Sequence, residues 1–150
     1  MNNGAGIIRI RRVPDKALSR YAPLLLDLER ILFPGDKRCR PDHGHWWLAW
    51  VGKRVVGFLC IRVHGRVAFI ERYGVLKAAQ GRGIGRRFLR TAARYAKRVG
   101  LGAMITYTLT SNASSMNAMI AAGYHTYVPR YPMYGRNVVY WIRRIREGNV

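Results

Sequence analysis

Apolar positions along this chain switch repeatedly between a period of two and a period near 3.6. Ile7 to Val13 alternates imperfectly and predicts a first strand. Pro14-Asp15 then opens a helix, since proline suits a first turn and a carboxylate suits its positive end. Leu18, Tyr21, Leu25, Leu28 and Leu32 carry helical spacing to about Phe33. Pro23 is expected to kink or divide this helix, and Pro34-Gly35-Asp36 to stop it. After a polar loop from Lys37 to Gly44, three strands form a meander: Trp46 to Val51, Val55 to Val63 and Val67 to Leu76. Gly52-Lys53-Arg54 and His64-Gly65-Arg66 are the turns between them.

The second half repeats the alternation. Gly83 to Val99 reads as a helix that buries Phe88, Leu89, Ala92, Ala93, Ala96 and Val99. Its other side is basic, with Arg86, Arg90, Arg94, Lys97 and Arg98, and Gly100 ends it. Leu101 to Leu109 is a strand, and Thr110-Ser111-Asn112 offers N-caps for a helix from Ala113 to Ala122 that Gly123 closes. Tyr124 to Val128 is a short strand, Pro129 to Arg136 a loop, and Asn137 to Ile145 a last strand before a polar tail. The order is β-α-β-β-β-loop-α-β-α-β-β, with no internal repeat or low-complexity linker, so one domain is expected over residues 1–150.

Composition narrows the class. With 150 residues and 49% hydrophobic positions the chain can bury a core and is not disordered. No apolar run approaches the length of a membrane span, so no membrane partner is expected. Met1 to Gly6 has no signal-peptide pattern, and two cysteines are too few for a disulfide framework. A reduced, cytoplasmic setting is the expectation. The charge is unusual: 27 Lys+Arg against 7 Asp+Glu give +20. Such a field attracts polyanions, nucleic acid included, while arginines spread along the chain also fit a solvated surface.

The densest chemistry lies between the strand that ends at Leu76 and the helix that follows. Gln80-Gly81-Arg82-Gly83-Ile84-Gly85-Arg86-Arg87 places three glycines in five residues. Glycines let an anion approach the backbone, a helix N-terminus aims free N–H groups at it, and Arg82, Arg86 and Arg87 add forked donors. The stretch therefore predicts a site for a phosphorylated ligand. It lacks the G-x-G-x-x-G dinucleotide spacing and the G-x-x-x-x-G-K-[ST] of a Walker loop. It does resemble the acyl-CoA loop of the GNAT acetyltransferases, [QR]-x-x-G-x-[GA], complete from Gln80 to Gly85. A second segment, Asn112, Ser115 and then Gly123-Tyr124, is similar to the family's N-x-x-[AS]-…-G-[FY]. The element order also resembles the family, most strongly from Val67 to Tyr124, and the ending resembles small stand-alone members of bacterial and phage origin.

The resemblance implies an α/β GNAT fold: a mixed, mostly antiparallel sheet of six to seven strands, flanked by helices and splayed between the fourth and fifth. It implies acetyl-CoA as co-substrate and direct transfer to a primary amine of a small molecule or protein. The backbone of Val75 would pair with the pantetheine arm. Gln80, Gly81, Arg82, Gly83, Ile84 and Gly85 would hold the pyrophosphate, with Arg86 and Arg87 close to the phosphates. Asn112 and Ser115 would sit beside the pantetheine, and Glu71 falls where many members keep their base. Homodimers are common in the family. One position departs: where many members have a tyrosine that protonates the leaving thiolate, this chain has Met119, which cannot. Tyr107, Tyr124, Ser115 or solvent would have to serve.

Other residues carry two readings each. Glu71 shares strand parity with Val67, Phe69, Tyr73 and Val75; a carboxylate on such an apolar face suits a general base, or it pairs with Arg62 or Arg72. Cys39, Asp42, His43 and His45 cluster in the polar loop, but their spacing is not a strong ligand pattern and no metal is expected. Histidines 43, 45, 64 and 125 read as structural or surface groups, and Cys60 as a core residue. Trp46, Trp47, Trp50, Tyr131 and Tyr134 fit an acceptor pocket or, for the tryptophans, the core. The alternative function is a basic nucleic-acid-binding module, or an acyltransferase whose substrate is linked to nucleic acid.

Overall fold

The computed structural model describes residues 6–37, 39–131, 135 and 137–145. The N-terminal stretch Met1–Ala5, Tyr134, Arg136 and the polar tail from Arg146 lie outside the described residues. Seven strands and three α-helices are found among the described residues: β1 (Ile8–Arg12), α1 (Leu18–Leu32), β2 (His45–Val51), β3 (Arg54–His64), β4 (Val67–Val75), α2 (Ile84–Arg98), β5 (Ala103–Leu109), α3 (Ala113–Ala121), β6 (His125–Tyr127) and β7 (Val138–Arg144). The strands form one sheet in the order β1-β2-β3-β4-β5-β7-β6. β1 with β2, β2 with β3, β5 with β7 and β6 with β7 pair antiparallel and β4 with β5 parallel, so the fold is the expected mixed, mostly antiparallel α/β arrangement.

By contact the chain divides into two compact units, Met1–Arg62 with Glu71–Phe88, and Val63–Ile70 with Leu89–Val150. In the first, α1 lays Leu25 and Leu28 onto Trp46, Leu48, Phe58 and Cys60 of β2 and β3. Trp46 and Phe58 are fully buried, with ring centroids 5.5 Å apart. Pro23 lies inside α1 and does not divide it. The ring and Ser19, whose carbonyl loses its helical donor, both face solvent, so water satisfies what the proline removes. The expected opening of that helix at Pro14 is instead a 3-10 turn, Asp15–Ala17.

β1 has an open edge, and two arginines close it: Arg82 donates to Gly6 O at 2.8 Å and Arg87 to Ile8 O at 3.0 Å. Covering edge carbonyls discourages pairing with another chain. The buried carboxylate of Glu29 is held by the Cys39 N–H at 2.9 Å and by Arg72 at 3.3 Å. Arg72 also reaches Asp36, Lys37 O and the face of Phe33.

In the second unit β4 runs parallel to β5, with Val67–Phe69 in register with Ala103–Ile105. Thr106 Oγ1 donates to Ile70 O at 3.0 Å. β7 pairs with β5 along its whole length and with β6 on its other side. Trp141, buried on β7, donates its Nε1–H to Thr108 Oγ1 at 2.9 Å. α2 buries Phe88, Leu89, Ala92, Tyr95 and Ala96. The helix ends at Arg98, so Val99 lies outside it and is 47% exposed rather than buried as expected. No helix among the described residues is long and apolar enough to cross a membrane.

Candidate active site

The glycine stretch connects β4 to α2 within the first unit. Leu76 N donates to Val56 O at 2.7 Å, which fixes the strand end, and a 3-10 turn follows at Lys77–Ala79. Gln80 Nε2 then reaches back to Val75 O at 3.0 Å. This latch ties the loop to the strand that precedes it. It takes one of the two lone pairs of the Val75 carbonyl and leaves the N–H untouched.

Gly81 and Gly83 have φ of +80° and +79°, the left-handed region that glycine enters without strain. A Cβ at either would meet nothing within 4 Å, so both glycines edge open space. Ile84 is buried and pins the first turn of α2. The first helical bond runs from Arg87 N to Gly83 O at 3.1 Å, so the N–H groups of Ile84, Gly85 and Arg86 have no acceptor inside the helix. A Cβ on Gly85 would lie 3.7 Å from the Tyr73 ring, which walls the turn.

The arginines of the stretch divide their work. Arg82 spends a donor on Gly6 O just ahead of β1 and Arg87 one on Ile8 O of β1, whereas Arg86 is exposed at the first turn of α2. Free backbone donors, a positive helix end and Arg86 make a seat for a phosphate group. The residues present therefore fit the pyrophosphate of a CoA ester.

Glu71 lies on β4 in the same unit. Its Oε2 stands 2.5 Å from Arg62 Nε, an ion pair only partly open to water. Of the two partners the sequence leaves open, Arg62 is the one found, because the side chain of Arg72 leaves β4 on the opposite face. The second unit holds Asn112 and Ser115. Asn112 is the N-cap of α3, its Oδ1 accepting from Ser115 N at 3.1 Å. That local bond gives the asparagine a structural role.

Met119 is fully buried. Tyr124 turns its hydroxyl inward, toward Met104 Sδ at 3.7 Å. Tyr107 is half-buried and stacks on Phe69 with centroids 6.4 Å apart.

The polar loop does not assemble a ligand set. Cys39 is in the core, Asp42 faces Arg40 and His43, and His45 Nδ1 is 2.7 Å from Arg12. Burial and then the Arg12 guanidinium hold the His45 imidazole below its usual pKa. Among the described residues no three His, Cys, Asp or Glu side chains could share a metal ion. Trp46 and Trp47 are buried, Trp50 is half-buried and Tyr131 is exposed.

The sheet runs β1-β2-β3-β4-β5-β7-β6, with a glycine loop feeding a helix N-terminus after β4. A family model, the acetyltransferase (GNAT) family, matches residues 11–124. The chain belongs to the acetyltransferase (GNAT) family, whose members transfer acetyl groups from acetyl-CoA. No curated protein matches.

Solved structures show the same fold at low identity. The Escherichia coli ribosomal-protein-S18-alanine N-acetyltransferase aligns at 15% identity and TM-score 0.75, over 95% of this chain and 97% of that one. A Bacillus subtilis acetyltransferase in complex with CoA aligns at 17% and 0.69, over 93% and 100%. The putative acetyltransferase yncA of Salmonella typhimurium, with acetyl-CoA, aligns at 15% and 0.69, over 97% and 98%.

Proposed function

We propose that this acetyltransferase acts as one domain in the cytoplasm and moves the acetyl group directly from acetyl-CoA to a primary amine. The geometry of Gly81 to Arg86 carries the reading, with its two left-handed glycines, open space and acceptor-free N–H groups. Both cysteines are free thiols, which suits a reducing compartment. Glu71 accepts the amine proton, directly or through a water, and the amine nitrogen attacks the thioester carbonyl. A backbone N–H of β4 stabilises the oxyanion, and the C–S bond then breaks. Tyr124 faces the interior, so Tyr107, Ser115 or solvent supplies the proton to the thiolate. Calorimetric titration with acetyl-CoA, followed by thiol release across a panel of amines, tests this. Saturable binding and amine-dependent release of CoA are expected; absence of both would end the proposal.

A second reading rests on the pairing of charges. Six of the seven acidic residues are described, and Arg12, Arg30, Arg40, Arg62 and Arg72 engage all six. The exposed cations of α2, Arg86, Arg90, Arg94, Lys97 and Arg98, pair with none of these six. Twelve residue steps separate Arg86 from Arg98, so the stripe is about 18 Å long. It has no exposed aromatic ring for stacking bases, which favours the backbone of double-stranded nucleic acid over a single strand. Arg90→Glu with Arg94→Glu should flatten the dependence of log K on log salt by about 2 for a duplex. An unchanged slope would remove this stripe as the docking face.

A further inference from the structure

A cleft of about 330 Å³ opens on the α1 side of the β1–β2 edge, and no residue of the glycine stretch lines it. It falls at the lower end of the range for small-molecule sites. Register explains its walls. Arg9 stands opposite Trp50 and Arg11 opposite Leu48 on the antiparallel pair, so these four side chains share one face of the sheet. The turn after β2 adds Lys53, and Tyr21 comes from α1.

Two features set this cleft apart from ordinary surface. The first is charge. Arg9, Arg11 and Lys53 are exposed, and none of the six described acidic side chains pairs with them. Arg12, which also lines the cleft, is occupied by Asp15 and His45. The second is Trp50. Its neighbours Trp46 and Trp47 are buried at 0% and 4% exposure, whereas Trp50 is half-open. The register of β2 against β3 shifts between Ala49 and Trp50, with Val56 of β3 as the extra residue, while Trp50 keeps the face of Leu48 and its β1 partner Arg9. A half-open indole and a tyrosine therefore stand beside three cations that no described carboxylate pairs.

Forked and ammonium donors select a phosphate, and aromatic faces select a flat ring. We infer that the cleft binds a nucleotide, either free or as one unit of a nucleic-acid strand. The site goes beyond acetyl transfer, since it shares no residue with the loop that would hold CoA.

The test is calorimetry with cytidine monophosphate in saturating CoA, which keeps the nucleotide out of the CoA site. Saturable binding is expected, clearly tighter than that of inorganic phosphate. Arg9→Gln with Arg11→Gln should weaken it about tenfold or more while leaving acetyl-CoA affinity unchanged, since both arginines are exposed. Trp50→Leu should weaken cytidine monophosphate about tenfold or more yet leave inorganic phosphate unaffected. A short oligocytidylate that binds more tightly than the monomer identifies a strand as the source, and equal or weaker binding identifies the free nucleotide. No saturable binding, binding that survives the double substitution, or phosphate binding as tight as the nucleotide's overturns the inference.

Discussion

Gly83→Trp is expected to weaken acetyl-CoA binding by at least about 100-fold, equivalent to about 2.7 kcal/mol. Two effects add. An L-residue held at φ near +79° costs about 1–3 kcal/mol of backbone strain, so the loop relaxes away from its geometry. The indole also enters the open space beside the glycine, where the diphosphate would lie against the N–H groups of α2. Gly65→Trp separates these contributions. Gly65, in the turn between β3 and β4, has φ +58° and equally open surroundings. It carries comparable strain with no role at the loop. Both variants should lose several degrees of melting temperature, at about 2–4 °C per kcal/mol. Only Gly83→Trp should lose acetyl-CoA in a titration. If the two lose affinity alike, the cause is general destabilisation and the loop is not the seat of the diphosphate.

The elements themselves are largely legible in the sequence, because each depends on local periodicity. β3 spans Arg54–His64 against an expected Val55 to Val63, and β5 begins at Ala103 rather than Leu101. The sheet order is not legible. β7 inserts between β5 and β6, and nothing local in Val138–Arg144 states which strands it joins. Pro23 shows the limit of a propensity rule. The cost of an interior proline depends on whether the freed carbonyl can reach water, and that is a tertiary fact.

The glycine loop is legible as a phosphate seat, but the division of labour inside it is not. Gln80 reads as a ligand contact, yet its amide latches the loop to Val75 O. Arg82 and Arg87 read as phosphate donors, yet both reach across some eighty positions of sequence to carbonyls near β1. No spacing rule reveals a bond of that separation. The Arg62 partner of Glu71 is a different case. Successive strand residues face opposite ways, so parity alone sets Arg72 on the other side of β4.

That ion pair makes Glu71 the position where a structural and a chemical role must be told apart. If Glu71 is the general base, Glu71→Gln should lower kcat by about 10² to 10⁴ and leave the KM for acetyl-CoA unchanged. The amide keeps the shape and a hydrogen-bonding oxygen beside Arg62, but accepts no proton from an amine. Arg62→Gln is the counterpart. It removes the same ion pair from the other side, at a stability cost of about 1 kcal/mol, since both side chains remain partly open to solvent. A purely structural pair predicts that both variants lose stability and activity in parallel. A base predicts divergence: Arg62→Gln keeps most of its turnover, whereas Glu71→Gln loses turnover out of proportion to its change in melting temperature. Steady-state kinetics on the two variants at one pH decide between these outcomes. Full activity in Glu71→Gln would move the deprotonation step to a water or to the substrate amine's own equilibrium.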